Sequence, residues 1–415
     1  MNFDSFAFHP QINAGIVAAG YSTPTSIQLR TIPPIISGRD VLGLAQTGTG
    51  KTAAFVLPIL QRLLRGPRGK LRALIVAPTR ELAEQTHTAI MALGRQTGLR
   101  SLTLYGGVNA RPQIQGLRAG ADIAVACPGR LLDLMEQKVV SLNSIEVVVL
   151  DEADQMFDMG FLPAIRRIMA ALPKERQTLL FSATMPPEIL TLANNFLKNP
   201  ETIEIGTSHP IETVSHAIYP VDQERKAEML MEILRQTGSG QILIFTRTKH
   251  RASKLAEQLK RTGLSATALQ GNLSQVQRQN ALDGFRSGRV RVLVATDIAA
   301  RGIDISQISH VINFDIPNTA EAYTHRIGRT GRMAHLGTAF TLVTQDDLPM
   351  IRTIERLLGS PLERRKLPGF ETQPLTAERP AAVKKPTPSV YRAQPSRRTV
   401  STESSHALTY SRSTR

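Results

Sequence analysis

Short runs of almost unbroken apolar residues, spaced by longer helical stretches, constrain this chain more than any other feature. In the first half they fall at 40–44, 71–77, 121–127, 146–150, 177–181 and 201–205. A strand with one wet face alternates apolar and polar residues, whereas a strand covered by helices on both faces does not. Such runs alternating with helices predict a parallel, doubly wound α/β sheet. The pattern then restarts, at 215–221, 241–245, 265–270, 290–295, 310–314 and 338–343. A dozen strands are too many for one compact open sheet, so two tandem domains are expected, each with its own parallel sheet. The polar stretch Gly206-Thr207-Ser208-His209-Pro210 between them reads as a linker. A long surface loop within one large sheet is the alternative. The expected boundaries are 1–206 for the first domain, 207–213 for the linker, 214–360 for the second domain and 361–415 for a tail.

The tail has a different character. From Pro361 onward there are seven prolines, eleven Lys or Arg and only four acids, so it carries +7 of the chain's net +16. It has too little apolar surface to offset the entropy of ordering, and disorder is expected. Its cations suit an RNA tether; an inert solubilising segment and a protein-docking segment are the alternatives. The overall charge points to a polyanionic partner, with nucleic acid ahead of an anionic membrane. Cys127 is the single cysteine, which excludes an intrachain disulfide and argues against a thiolate zinc site. The first residues lack the basic stretch and apolar run of a signal peptide, and no apolar run approaches the roughly 18 residues that span a bilayer. A reducing, cytoplasmic location without membrane contact is expected.

Two local patterns carry chemistry. Ala45-Gln46-Thr47-Gly48-Thr49-Gly50-Lys51-Thr52 follows a predicted strand and opens an apolar helix. That context suits a phosphate-binding loop, because glycines let backbone N–H groups converge on phosphate oxygens at a helix N-terminus. Lys51 would reach the β- and γ-phosphates and Thr52 a magnesium ion. The first position is Ala45 where glycine is usual. A Gly/Thr-rich turn before a helix is the plain alternative. Further on, Val147-Val148-Val149-Leu150 leads into Asp151-Glu152-Ala153-Asp154. A strand that ends in acids places carboxylates at the carboxyl edge of the sheet, where ligands of such folds bind. Asp151 would hold magnesium through water, and Glu152 would orient and deprotonate an attacking water. A solvated acidic helix start is the alternative, and the phosphate loop upstream weakens it.

Asp-Glu-Ala-Asp at 151–154 resembles the signature of the DEAD-box helicase family, and further motifs follow in that family's order. The resemblance covers about 1–345 and implies two RecA-like domains that bind ATP, Mg2+ and RNA. Gly20-Tyr21-Ser22-Thr23-Pro24-Thr25-Ser26-Ile27-Gln28 resembles the adenine-reading Q motif, which implies Gln28, Tyr21 and the upstream aromatic Phe3 at the base. Ser26 stands where proline is common. Pro78-Thr79-Arg80, Gly106-Gly107 and Cys127-Pro128-Gly129-Arg130 resemble RNA-contacting motifs, with Cys127 replacing a threonine and losing its hydroxyl. Ser182-Ala183-Thr184 resembles the motif coupling hydrolysis to unwinding. In the second half the resemblance implies RNA contacts at Arg247, Gly271 and Thr296, and a ribose contact at Asp304. It also implies arginine fingers at Arg329 and Arg332, and a coupling contact from His325 to the acidic motif. A surface charge run is the alternative for these arginines. The opening residues, compact core and basic tail also resemble the bacterial RhlE-like subgroup.

The implied activity is ATP-driven local unwinding of short RNA duplexes by a monomeric core, with ribosomal precursors or mRNA-decay assemblies as settings. Aromatic residues are only 5% and tryptophan is absent, which favours backbone contacts over base stacking. A DNA helicase of the same superfamily and an ATP-gated RNA clamp or ribosome-assembly scaffold remain as alternatives.

Overall fold

A computed structural model describes residues 2–46, 48–205, 214–300, 308–331 and 337–370. The first sheet is built from β1 (Val41–Leu44), β2 (Ala73–Val76), β3 (Ser101–Leu104), β4 (Ile123–Ala126), β5 (Val147–Leu150), β6 (Gln177–Ser182) and β7 (Glu201–Glu204). The second contains β8 (Val214–Pro220), β9 (Gln241–Phe245), β10 (Ala266–Leu269), β11 (Val292–Ala295), β12 (Ile308–Asn313), β13 (Gly337–Val343) and β14 (Glu363–Arg364). Strand orders are β3-β4-β2-β5-β6-β1-β7 and β10-β11-β9-β12-β13-β8-β14. Every pairing is parallel. Both sheets belong to one compact unit, Met1–Leu375. The expected two-sheet α/β architecture is the one observed. The linker at 207–213 lies outside the described residues.

The apolar runs are continuous because both faces of each sheet are buried. Val147 and Val149 of β5 enter one core, and Val148 and Leu150 enter the core on the opposite face. Leu243 and Phe245 of β9 divide from Ile242 and Ile244 in the same way. Around the first sheet run α1 (Pro10–Ala18), α2 (Ser26–Ile36), α3 (Lys51–Leu63), α4 (Arg80–Leu93), α5 (Arg111–Arg118), α6 (Pro128–Glu136) and α7 (Ala153–Asp158). Among the described residues no helix is long and apolar enough to cross a membrane.

Two strands depart from expectation, and both are sheet edges. β3 offers only Leu102 and Leu104, and most of it is half-buried, so it carries no continuous apolar run. β14 falls inside the segment expected to be a disordered tail from 361. There Glu363 and Arg364 pair with Ala217 and Ile218 of β8. Leu362, Leu367 and Phe370 are buried in the second domain, and the Arg225 guanidinium lies 4.4 Å from the Phe370 ring centre. The packed domain therefore continues to Phe370. Three well-spaced apolar residues suffice to seat a short charged segment on an open edge, and composition averaged over the tail conceals them.

Truncation after Gly359 is expected to destabilise the second domain by several kcal/mol, since each large apolar side chain removed forfeits about 1.5–3 kcal/mol. It also uncovers the edge of β8 and should promote aggregation. Truncation after Phe370 keeps Leu362, Leu367 and Phe370 and the β14–β8 pairing, and should melt well above the shorter chain. Thermal melts of the two truncations decide the point.

Candidate functional site

The phosphate loop leaves β1 at the carboxyl edge of the first sheet and enters α3. Gly48 and Gly50 sit at φ 84° and 94°, left-handed conformations natural to glycine. A Cβ at Gly50 would fall 2.6 Å from Gln28 Nε2, so the close approach of loop and α2 also requires glycine. Lys51 is buried, and its Nζ donates to the Ala45 carbonyl at 2.9 Å. Thr49 Oγ1 donates to the Gln46 carbonyl at 2.8 Å, which closes the turn. Thr52 follows Lys51 in the first turn of α3. Thr47 lies outside the described residues.

Gln28 connects this loop to the Q-like segment. Its Oε1 accepts the Thr25 backbone N–H at 2.9 Å as half of a capping box, and its Nε2 donates to the Gly50 carbonyl at 3.1 Å. An amide of this kind keeps one further N–H and one further lone pair. Tyr21 is 41% exposed. Phe3 stacks against it with ring centres 6.1 Å apart and is itself buried, so Tyr21 is the more exposed ring of the pair.

β5 delivers the acids. Asp151, Glu152 and Asp154 are all buried. Glu152 adopts φ 53° and ψ 53°, a left-handed conformation costing about 1–2 kcal/mol for a non-glycine residue. Strain of this kind concentrates at functional positions. Among the described residues its buried Oε2 has no hydrogen-bond partner. Burial pushes the Glu152 carboxyl from 4.5 up to about 7; Lys51 and Arg329 pull it down, while Asp151 and Asp154 push it up. Burial also raises Asp151, against the pull of Lys51. Asp154 is bound differently. Its Oδ2 accepts the N–H groups of Ala183 (3.1 Å) and Thr184 (2.9 Å) and the Thr184 hydroxyl (3.1 Å). Its own N–H donates to Ser182 Oγ at 3.2 Å. The last acid of the tetrad thus ties the segment 182–184 directly to α7.

The raised pKa of Glu152 has a consequence for stability. Below about pH 4.5 folded and unfolded chains both hold the proton, and the shift contributes no cost. Between about pH 4.5 and 7 only the unfolded chain releases it, so the cost grows and is complete above about pH 7. Near 1.4 kcal/mol per unit, the plateau is roughly 3 kcal/mol. Glu152→Gln should therefore melt several degrees above the parent at pH 8, with the gap closing towards pH 5. A pH-independent gap would contradict this origin.

Residues of the second domain meet the acids across a cleft of about 1000 Å³, lined by Asp154 and Thr184 on one side and Arg247, Thr296, His325 and Arg329 on the other. Arg329 is buried, follows the helix Ala320–Ile327, and acts electrostatically on Glu152. The neighbouring Arg326 serves the fold instead. It grips Asp297 at 2.5 and 2.7 Å and the carbonyl of Asp315 at 2.7 Å. Asp304 and Arg332 lie outside the described residues.

The expected RNA contacts of the first domain converge. Pro78 and Thr79 lead into α4, where Thr79 Oγ1 caps the helix by accepting the Leu82 N–H at 3.2 Å. Arg80 lies over Gly107, where a Cβ would collide with its guanidinium, and Gly107 is left-handed at φ 74°. Arg130 Nη2 donates to the neighbouring Val108 carbonyl at 3.1 Å. Cys127 is buried, and burial pushes its thiol up to about 12, so it stays neutral. In the second domain Arg247 and Gly271 are exposed. The two domains are also joined by a pair that motif reading missed. Arg278 Nε donates to Glu81 Oε1 at 2.7 Å with both side chains buried, and Arg80 reaches Gln275 Oε1 at 3.5 Å. No local signal distinguishes Arg278 in its polar helix, because its partner is 197 residues away.

A phosphate loop and buried acids on one parallel-sheet domain, facing an arginine of a second across the cleft, define a two-domain ATPase of the helicase type. The sequence matches the models of the DEAD/DEAH box helicase over 25–192 and of the helicase conserved C-terminal domain over 225–334. The chain belongs to the DEAD-box helicase family. It is 44% identical over 346 residues to RNA helicase CrhR of Synechocystis, covering 83% of this chain and 70% of that one. It is 39% identical over 386 residues to the DEAD-box ATP-dependent RNA helicase CshA of Bacillus subtilis, covering 91% and 78%. Among solved structures it resembles S. cerevisiae Dbp5 bound to RNA and ADP BeF3, with TM-score 0.76 and 32% identity over 88% of this chain and 95% of that one. A DEAD box protein from Methanococcus jannaschii gives TM-score 0.52 at 34% identity over 88% and 99%.

Proposed function

We propose that this protein is an ATP-dependent RNA helicase that binds single-stranded RNA by its backbone and opens short duplexes locally. The observation that carries the proposal is the Glu152 carboxylate, buried with one oxygen unpartnered among the described residues and acted on by Arg329 of the other domain. A hydrolytic site divided in this way works only when the two domains are together. Binding energy from RNA and ATP can then be spent on assembling it.

Lys51 and the backbone N–H groups of the loop hold the phosphates. Gln28 and Tyr21 hold the adenine. Glu152, with a pKa near 7, accepts the proton of the attacking water near neutral pH. Arg329 and Arg332 balance charge on the transferring phosphoryl group. Thr52 and Asp151 would hold Mg2+, which supplies neutralisation of the phosphate oxygens. Among the described residues no cluster of three or more acids, histidines or cysteines could hold a metal. A magnesium bound mainly through nucleotide phosphates and one carboxylate fits that donor set. Asp154 passes the state of the acidic motif to Ser182 and Thr184, and His325 faces the same cleft.

A monomeric core, a cytoplasmic location, the RhlE-like placement and action on ribosomal precursors or decaying messages belong to this proposal. The test is a multiple-turnover ATPase assay with single-stranded RNA, DNA or neither, using ATP and GTP. Strong stimulation by RNA and little activity with GTP are expected, since guanine presents the wrong donors and acceptors to Gln28. Equal stimulation by DNA would make the protein a DNA helicase. Saturable ATP and RNA binding without turnover would make it a clamp.

A further inference from the structure

We infer that the amino edge of the first sheet is a second RNA-binding surface, one that grips the phosphate backbone of RNA extending beyond the single strand held at the carboxyl edge. The inference rests on the proposed RNA activity and concerns the opposite end of the same sheet. In β3, β4 and β2, Ser101, Ile123 and Ala73 lie level with one another. The three loops entering these strands therefore open side by side, within about 10 Å. Together with the last residue of α5, Arg118, they carry six exposed cations: Arg65, Arg68, Lys70, Arg95, Arg100 and Arg118.

The only acid in the sequence of these loops is Asp122, and it is spent internally. It is buried, and its two oxygens accept the backbone N–H groups of Gly69 and Arg100 at 2.9 Å each. That bridge ties the first loop to the second. Arg68 Nη2 donates to the Thr97 carbonyl at 3.1 Å and adds another tie. Gly120 packs so closely that a Cβ there would lie 2.9 Å from the Gly69 carbonyl and 3.1 Å from the Arg100 guanidinium. The nearby Glu146 is engaged by Arg72 and Arg62. A braced surface with six cations, its acids already engaged, fits a polyanion with regularly spaced phosphates.

Four-residue strands separate this edge from the Arg80–Gly107–Arg130 region by about 13 Å plus loops. A short oligonucleotide seated there does not reach it; a longer strand or a flanking hairpin does. The decisive comparison uses the full chain and the variant Arg65→Gln/Lys70→Gln/Arg95→Gln/Arg118→Gln, which leaves the braces formed by Arg68 and Arg100 in place. Three RNAs are titrated across salt concentration: a short single strand, the same strand extended, and the same strand with a hairpin. Unchanged affinity for the short strand is expected, with a loss of roughly tenfold for one or both longer RNAs. The salt dependence for those RNAs should flatten by up to about 3–4 in log–log slope. Loss on the hairpin alone identifies duplex backbone as the ligand, and loss on the extended strand identifies single-stranded backbone. The companion variant Arg65→Lys/Arg95→Lys/Arg118→Lys should bind as the parent does, which separates charge from folding. Equal affinity of parent and Gln variant for all three RNAs overturns the inference while leaving the helicase proposal intact. A parent that binds none of them and shows no RNA-stimulated turnover overturns both.

Discussion

Glu152→Gln is expected to lower the ATPase turnover at saturating RNA by about 10²–10⁴-fold, the usual contribution of a positioned general base. Shape and volume are nearly unchanged, so ATP and RNA binding should persist. The complex should accumulate in its closed, RNA-bound state, because only hydrolysis resets it. In the parent, kcat/KM for ATP should fall with acid as the carboxylate is protonated, with an inflection near 7. Steady-state ATPase measurements with RNA-binding titrations check both statements. Turnover of the Gln variant within a few-fold of the parent would remove Glu152 from the role of base.

Arg329→Ala should cost about 10³–10⁵ in turnover if the side chain completes the site from the second domain. ATP affinity should change far less, since the phosphate loop and Gln28 are on the first domain. A second readout distinguishes charge stabilisation from a structural defect. Arg329 pulls the Glu152 carboxyl down, so its removal should move the acid limb of the residual activity to higher pH. An unshifted acid limb with the same loss of rate would indicate that Arg329 acts elsewhere in the cleft.

Much of the site could be read in the chain because its parts are local. The phosphate loop is a strand, a glycine turn and a helix start within a dozen residues, and the acids directly follow β5. Covering both faces of each sheet needs unbroken apolar strands, so every described strand except β3 and β14 coincides with an apolar run in the sequence. Those two escaped because edge strands need little apolar surface, and β14 lies in a segment dominated by proline and charge.

Fold class and family were legible in the chain alone, since periodicity and turn chemistry are properties of neighbouring residues. Other features emerged only on folding. Phe3 stacks against Tyr21, Asp154 is bound to the segment 182–184, Glu81 pairs with Arg278, and the second domain runs on to Phe370. Glu152 likewise owes its pKa to how completely water is excluded and to charges delivered from both domains. Burial and long-range pairing come from residues that meet only in the folded chain, and no local pattern in the sequence records them.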